Sequence, residues 1–216
     1  TGEVWAQPSL YYTLGHDPVI ASGGNIVTNY TLNGTNFRAH IFTTVGTTNF
    51  TVMDYGNVEV LVVAGGGGGG QTIGGGGGAG GFLYSSSHTL FPGNHTITVG
   101  AGGAGAPGGA SYPTDGGSKG SDSLLNQLKA YGGGGGGSYN NTANGASAGG
   151  SGGGTGAGCI GGPMAGTNGQ GSAGGITTTN TNSGAGGGGA GATGGNAISG
   201  VEGAGGVGLS SDLSGT

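Results

Sequence analysis

Val58–Gly70 reads VEVLVVAGGGGGG. Branched apolar residues fill the first half, a composition that suits a pleated, buried strand. Glycine fills the second half, where no side chain remains to carry a pattern. The junction at Ala64–Gly65 divides the chain by composition. Residues 1–64 hold seven glycines, and residues 65–216 hold the other 58 of 65. An ordinary soluble domain is about 7% glycine and about 25% charged, whereas 5% of this chain is charged. Such a chain cannot build a large aliphatic core. It is also a poor enzyme, since catalysis needs many precisely held functional side chains.

Upstream of the junction the sequence reads as β structure. Asn25–Leu32 (NIVTNYTL) and Asn36–Thr44 (NFRAHIFTT) are rich in β-branched and aromatic residues, and Asn33-Gly34 between them signals a hairpin turn. In the second run Phe37, Ala39 and Ile41 alternate with Arg38, His40 and Phe42, a period of two. A second pair follows: Thr48–Met53, a turn at Asp54-Tyr55-Gly56-Asn57, then Val58–Ala64. Four antiparallel strands are expected. Thr1–Tyr12 (TGEVWAQPSLYY) is apolar and aromatic but has no hairpin mate. It either packs on its own domain or is lent as a strand to a neighbouring subunit, because an open sheet edge templates pairing.

Downstream, blocks of glycine alternate with short apolar segments. Phe82-Leu83-Tyr84 and His95–Val99 read as strands, with Phe91-Pro92-Gly93-Asn94 as the turn between them. Leu124–Tyr131 (LLNQLKAY) is the one segment that reads as a helix, and Val207–Leu213 reads as a closing strand. Six glycines follow Ala64 and six follow Tyr131, an echo too weak to define a repeat. Flexible linker is a poor account of the glycine, given the interleaved Val, Ile, Leu, Phe and Tyr and the scarcity of charge. Collagen needs glycine at every third residue and abundant proline, and neither is present. Two accounts remain: extended threefold glycine helices of polyglycine-II type bonded sideways, or a mixture of ordered glycine-rich loops.

The net charge is −5, with Arg38, Lys119 and Lys129 as the only cations among Lys and Arg, which makes nucleic acid an improbable partner. The longest apolar run, Val60–Ala64, is far short of the ~20 residues of a spanning helix, so no membrane insertion is expected. Cys159 has no second cysteine to pair with and reads as a small packed side chain. No signal peptide is visible, and the start at Thr1 is read as a processed product. Residues 59–70 formally contain G-x-G-x-x-G, but no helix follows the glycines and no acid stands ~20 residues on, so no dinucleotide site is expected. Gly116–Ser121 lacks the Gly-Lys-Ser/Thr order of a phosphate loop. His16, His40, His88 and His95 have no zinc-ligand spacing. Neither catalytic residues, cofactor nor metal are expected. Asn29, Asn33, Asn49, Asn94 and Asn140 stand in Asn-x-Ser/Thr sequons and are candidate glycosylation sites. The clustered threonines 177–179 and 181 lack the constant spacing of an ice-binding array.

Phe42–Gly81, with its LVVAGGGGGG junction, then Phe91–Gly103 (FPGNHTITVGAGG) and Tyr131–Gly137 (YGGGGGG) together carry a resemblance. Over about residues 25–216 the chain resembles a glycine-rich domain family widespread in surface and tail-fibre proteins of aquatic bacteria and their phages. Polyglycine II layers are also what the tip adhesins of some tailed phages resemble. The resemblance implies extracellular structural or adhesive work and carries over no catalytic residue. Two departures stand out. Residues 1–24 lie outside the pattern, as an assembly segment would. The chain stops at Thr216, where the family leads one to expect a further strand, which would leave a sheet position for another molecule.

The expected organisation is an all-β chain: an assembly segment at 1–24, a small antiparallel β domain at 25–64 and a glycine-rich domain of polyglycine-II-like helices and ordered loops at 65–216. The expected role is a subunit of an extracellular fibre or surface appendage. It would polymerise with itself head to tail by strand donation through Val4, Trp5, Leu10, Tyr11 and Tyr12. The alternative is a receptor-binding adhesin at a phage fibre tip, with Tyr112, Tyr139 and Asn140 facing a glycan or protein partner.

Overall fold

A computed structural model describes residues 2–6, 19–32, 34–108, 116–140, 145–159, 161–178 and 182–213. Its strands, in chain order, are β1 (Gly2–Ala6), β2 (Ala21–Ser22), β3 (Ile26–Leu32), β4 (Thr35–Phe42), β5 (Gly46–Val52), β6 (Gly56–Val63), β7 (Phe82–Leu90), β8 (Gly93–Val99), β9 (Ser123–Leu125) and β10 (Leu128–Ala130). No helix occurs among the described residues, so the fold is all-β. Sheet A has the order β3-β4-β1-β6-β7 and sheet B the order β10-β9-β8-β5-β2, with every pair antiparallel.

The core follows from alternation. Phe50 and Val52 of β5, Val58, Val60 and Val62 of β6, and Ile97 and Val99 of β8 repeat every second residue and are buried in one cluster with Phe42, Leu90 and Leu125. Each such side chain contributes roughly 1.5–3 kcal/mol by leaving water. The opposite face of sheet A carries a smaller cluster, in which Leu213 covers Ala39 and Leu61.

The strand segments expected upstream of Ala64 all form, but their partners differ from expectation. Only β3 and β4 make a hairpin there, turning at Gly34, whose φ is +80°. β5 and β6 do not pair: β5 lies between β8 and β2, and β6 between β1 and β7. The turn between them is a corner from one sheet to the other. The Phe91-Pro92 turn is another such corner, since β7 belongs to sheet A and β8 to sheet B. Tyr55 and Phe91 stack with their ring centres 6.3 Å apart, tying the two corners together.

The expected helix at Leu124–Tyr131 is instead the β9–β10 hairpin. Asn126 adopts φ +51° in its turn, a conformation that asparagine tolerates and a helix interior does not. Its main-chain N–H donates to the Thr96 carbonyl at 2.9 Å, while its side-chain oxygen accepts from the Thr96 N–H at 3.0 Å. β8 thus fixes the turn from both sides. The expected closing strand at Val207–Leu213 is also absent: no strand lies among residues 202–213.

The extended glycine helices expected from the sequence do not appear as regular elements. The glycine stretches are nevertheless tied together by main-chain hydrogen bonds. Ala64, Gly67 and Gly70 donate to Gly81, Gly78 and Gly75 in turn, so the β6–β7 pair continues into glycine with a step of three residues instead of two. Gly65 and Gly68 donate to Ser121 and Ser118, while the carbonyls of Gly66 and Gly69 accept from Gly103 and Ala106. The carbonyls of Gly65 and Gly68 also accept from Gly133 and Gly136. One segment therefore serves four neighbours, each met at every third residue.

Side chains have no room at such crossings. A Cβ on Gly67 would overlap the carbonyl of Gly134, and one on Gly68 that of Ala104. Ordering glycine costs roughly 0.5–1 kcal/mol per residue more than ordering alanine. Lateral pairing of otherwise buried N–H and C=O groups offsets that cost.

Candidate assembly site

β1 occupies the middle of sheet A. On one side Gly2, Val4 and Ala6 lie level with Phe42, His40 and Arg38 of β4. On the other they lie level with Val62, Val60 and Val58 of β6. Glu3 is level with Ile41 and Leu61, and Trp5 with Ala39 and Glu59. Because successive residues of a strand alternate between faces, the two edges bounding this slot present Phe42, Val60 and Val62 toward the sandwich core and Ala39 and Leu61 to the outer cluster. The slot is thus lined mainly by apolar residues, with His40, Arg38 and Glu59 among them, and by main-chain donors and acceptors on both edges.

Of the expected assembly residues, Val4 and Trp5 lie in this strand, while Leu10, Tyr11 and Tyr12 fall outside the described residues. Residues 7–18 join β1 to Val19. The central position of β1 has no sequence signal, because pairing partners are not written in a strand's own pattern.

His40 lies at the edge of the slot and is buried. Its Nδ1 is 2.8 Å from the Gly23 carbonyl, and its ring meets Phe50 edge-on. Among the described residues nothing pairs with its Nε2. Burial lowers its pKa below the ordinary 6.5; the Gly23 hydrogen bond opposes this and Arg38 adds to it. A neutral imidazole is therefore built into the slot wall. Periodicity could not have singled it out, since His40 alternates with Ala39 and Ile41 like any strand residue.

The outer face of sheet B is polar. Thr47 Oγ1 meets Thr98 Oγ1 at 3.2 Å, and Thr51 Oγ1 donates to Asn94 Oδ1 at 2.8 Å. Sequon residues Asn49 and Asn94 are exposed on this sheet, Asn29 is exposed on β3, and Asn140 is exposed in a turn at φ +50°. Asn33 falls outside the described residues, as does Tyr112.

Sheet A is different outside. Tyr30, Phe37, Phe82 and Tyr84 line a groove of about 280 Å³ with Glu59, Asp212 and Leu213. Tyr30 stacks on Phe37 at 5.2 Å, and the Tyr84 hydroxyl donates to Glu59 at 3.0 Å. Burial, that hydrogen bond and the nearby carboxylates together raise the Tyr84 pKa, so the phenol keeps its proton.

Cys159 is buried, and its thiol donates to the Ser138 carbonyl at 3.1 Å. Among the described residues no three His, Cys, Asp or Glu side chains are grouped to hold a metal ion, and no helix is long and apolar enough to cross a membrane.

The model of a glycine-rich domain matches residues 43–216. The chain belongs to this glycine-rich domain family. The matched span includes the sheet-to-glycine junctions after β6, β8 and β10, so in this member the glycine-rich domain and the second half of the sandwich are one continuous stretch. Neither a curated protein nor a solved structure matches the chain.

Proposed function

We propose that this glycine-rich domain protein is a structural subunit of an extracellular fibre or surface appendage, joined head to tail by exchange of β1. The observation that carries the reading is that β1 fills a slot flanked on both edges and is joined to the following fold through residues 7–18. A link of that length reaches roughly 40 Å when extended. It can therefore deliver β1 to the slot of its own subunit or to that of the next. The same ladder forms either way, so exchange costs little in pairing energy. Repeated in one direction, it is a heterologous contact that propagates as a filament.

We further propose that the glycine stretches form a bundle of polyglycine-II-type helices, the stiff body of the subunit. The three-residue step of the bonds supports this, since a polyproline-II-shaped chain has three residues per turn.

Removing residues 1–12 tests the strand exchange. The intact chain is expected to form filaments in negative-stain microscopy; the deletion is expected to abolish them, and a free 1–12 peptide, which fills the slot without linking subunits, is expected not to restore them. Unchanged filaments after the deletion would discard the idea. A second reading, a receptor-binding adhesin, is favoured by the groove on sheet A. Its aromatic faces and its Glu59 and Asp212 carboxylates suit a neutral glycan. Cell or glycan binding by a chain that does not polymerise would decide for it.

A further inference from the structure

The segment Gly184–Gly189 sits among hydrogen-bonded neighbours whose order can be worked out. Ala185 and Gly188 donate to Thr155 and Gly152, and Gly186 and Gly189 donate to Gly195 and Ala192. Its carbonyls at 185 and 188 accept from Gly76 and Ala79, those at 186 and 189 from Gly175 and Ser172, and those at 184 and 187 from Gly203 and Gly206. Each neighbour is also bonded to the next around the segment. Ser151 donates to Ala79, Gly152 to Ser172, Gly194 to Ala173, and Gly195 to Ala204. Only the stretches 74–81 and 201–208 exchange no hydrogen bond. Between them lies a groove of about 580 Å³ with 184–189 as its floor.

A chain with three residues per turn sends donors and acceptors out in alternating directions about 60° apart. Five directions around 184–189 are taken, and the sixth is the groove. The main-chain N–H groups of Gly184 and Gly187 are the set left over, and they donate to no described residue. The Gly74 and Gly77 carbonyls of one wall accept from none either. The groove thus continues the interface by which the chain's own segments pack. It offers donors on its floor and acceptors on its wall, spaced by three residues, or about 9 Å.

Segment 100–106 has the complementary shape. It is bonded to 64–70 through Gly103 and Ala106, and to 116–122 through the carbonyls of Ala101 and Ala104, and its main chain exchanges hydrogen bonds with no other described glycine stretch. Among the described residues, a Cβ on Gly102 or Gly105 would meet nothing closer than 3.7 or 3.8 Å, and one on Gly205 or Gly208 at the groove wall nothing within 4 Å. Alanine at such positions would stabilise an isolated subunit by reducing the entropy of the unfolded chain. Glycine is needed there only if another backbone comes close.

We propose that a second copy of this chain seats its 100–106 segment in the groove between 74–79, 184–189 and 201–208, giving a lateral contact distinct from exchange of β1. The inference rests on the reading of the chain as a self-assembling subunit but not on strand exchange. The contact joins two different surfaces, so it propagates.

Sedimentation velocity of the full chain over a range of concentrations tests it, with Gly105→Val and Gly205→Val as variants. The intact chain is expected to associate further with concentration. Each variant is expected to keep its far-UV spectrum and Tm and to associate at least about tenfold more weakly. A mixture of the two variants retains one sound groove and one sound segment, so the lateral contact is expected to join copies in pairs and to go no further. Variants that associate like the parent, or a parent whose size is independent of concentration, would overturn the proposal. If a variant does not fold, amide exchange on the parent decides. Gly184 and Gly187 must gain protection at high concentration, and equal exchange at both concentrations refutes the contact. Neither measurement touches residues 1–12, so a failure here is distinguishable from a failure of strand exchange.

Discussion

The sandwich and the glycine-rich region solve the same problem by opposite means. In the sandwich, side chains supply cohesion, and the main chain is paired along ladders with a period of two. In the glycine-rich region the main chain supplies nearly all of it, with bonds at a step of three, and a side chain at a crossing is an obstruction. Gly67 and Phe50 illustrate the difference. Phe50 is fully buried because of the area it fills. Gly67 matters because of the atoms it lacks, since the Gly134 carbonyl stands where its Cβ would be. Mutational cost in one region therefore tracks volume removed, and in the other volume added.

The largest expected effect comes from the side-chain half. Phe50→Ala should cost about 3–5 kcal/mol, read by denaturant unfolding. An equal loss on emptying a glycine-region site such as Leu209→Ala, where the side chain is mostly exposed, would erase the comparison. Next comes Gly67→Ala. This minimal addition should cost about 3 kcal/mol and lower Tm by roughly 6–12 °C. Differential scanning calorimetry checks it, and an unchanged Tm would mean the glycine-rich region is loosely packed.

Acid should act on the sandwich at a higher pH than on its junction with the glycine-rich region. His40 is neutral in the fold with a pKa below 6.5, and His88 is lowered too, by burial and by nearby His95. The unfolded chain therefore binds protons first, and stability falls as pH drops below about 6.5. His40→Phe should flatten most of that decline in a pH series of melts. Asp122 works lower down. Burial pushes its pKa up, but hydrogen bonds from Lys129 and the Gly132 N–H and the Lys129 charge outweigh it, leaving the carboxyl below 3.8. Its stabilisation is present above that value and is lost as pH falls through the folded pKa. The smallest effect sharpens the comparison most. Gly69→Ala, where a Cβ would find its nearest neighbour 3.9 Å away, should leave the isolated subunit unchanged or raise its stability by up to about 1 kcal/mol. Glycines in the same run, Gly67 and Gly69, would then differ in sign.

How much of this was legible in the sequence depends on which half carried the pattern. The alternation in Asn36–Thr44 and the apolar run at Val58–Ala64 announced β4 and β6, because their side chains record which face is buried. Partners were not legible: nothing in Thr48–Met53 says that it pairs with β8 rather than with its successor. Leu124–Tyr131 misled because Leu124, Leu128 and Tyr131 fit a helical spacing, whereas the deciding contact is Asn126 with Thr96. The order of the glycine segments could not be read at all. Sequence patterns are patterns of side chains, and here the specifying groups are identical amides. Only the outcome was visible, as a chain too apolar and too poor in charge to be a loose linker. The slot for β1 was half legible, as an apolar segment without a mate.

The excursion at 64–81 leaves from β6 and returns to β7, its neighbour in the same sheet, and the one at 100–122 does the same for β8 and β9. Their feet are fixed in the sheets, and the far end of the first is held as well, with the Gln71 N–H donating to Ser138 Oγ and the carbonyls of Gln71 and Ile73 accepting from Tyr139 and Ala157. Adding one triplet to every bonded leg of the glycine region together would lengthen it while keeping the three-residue step of its bonds. Length is thus a dial that evolution or an engineer can turn in steps of three, leaving the folded base untouched.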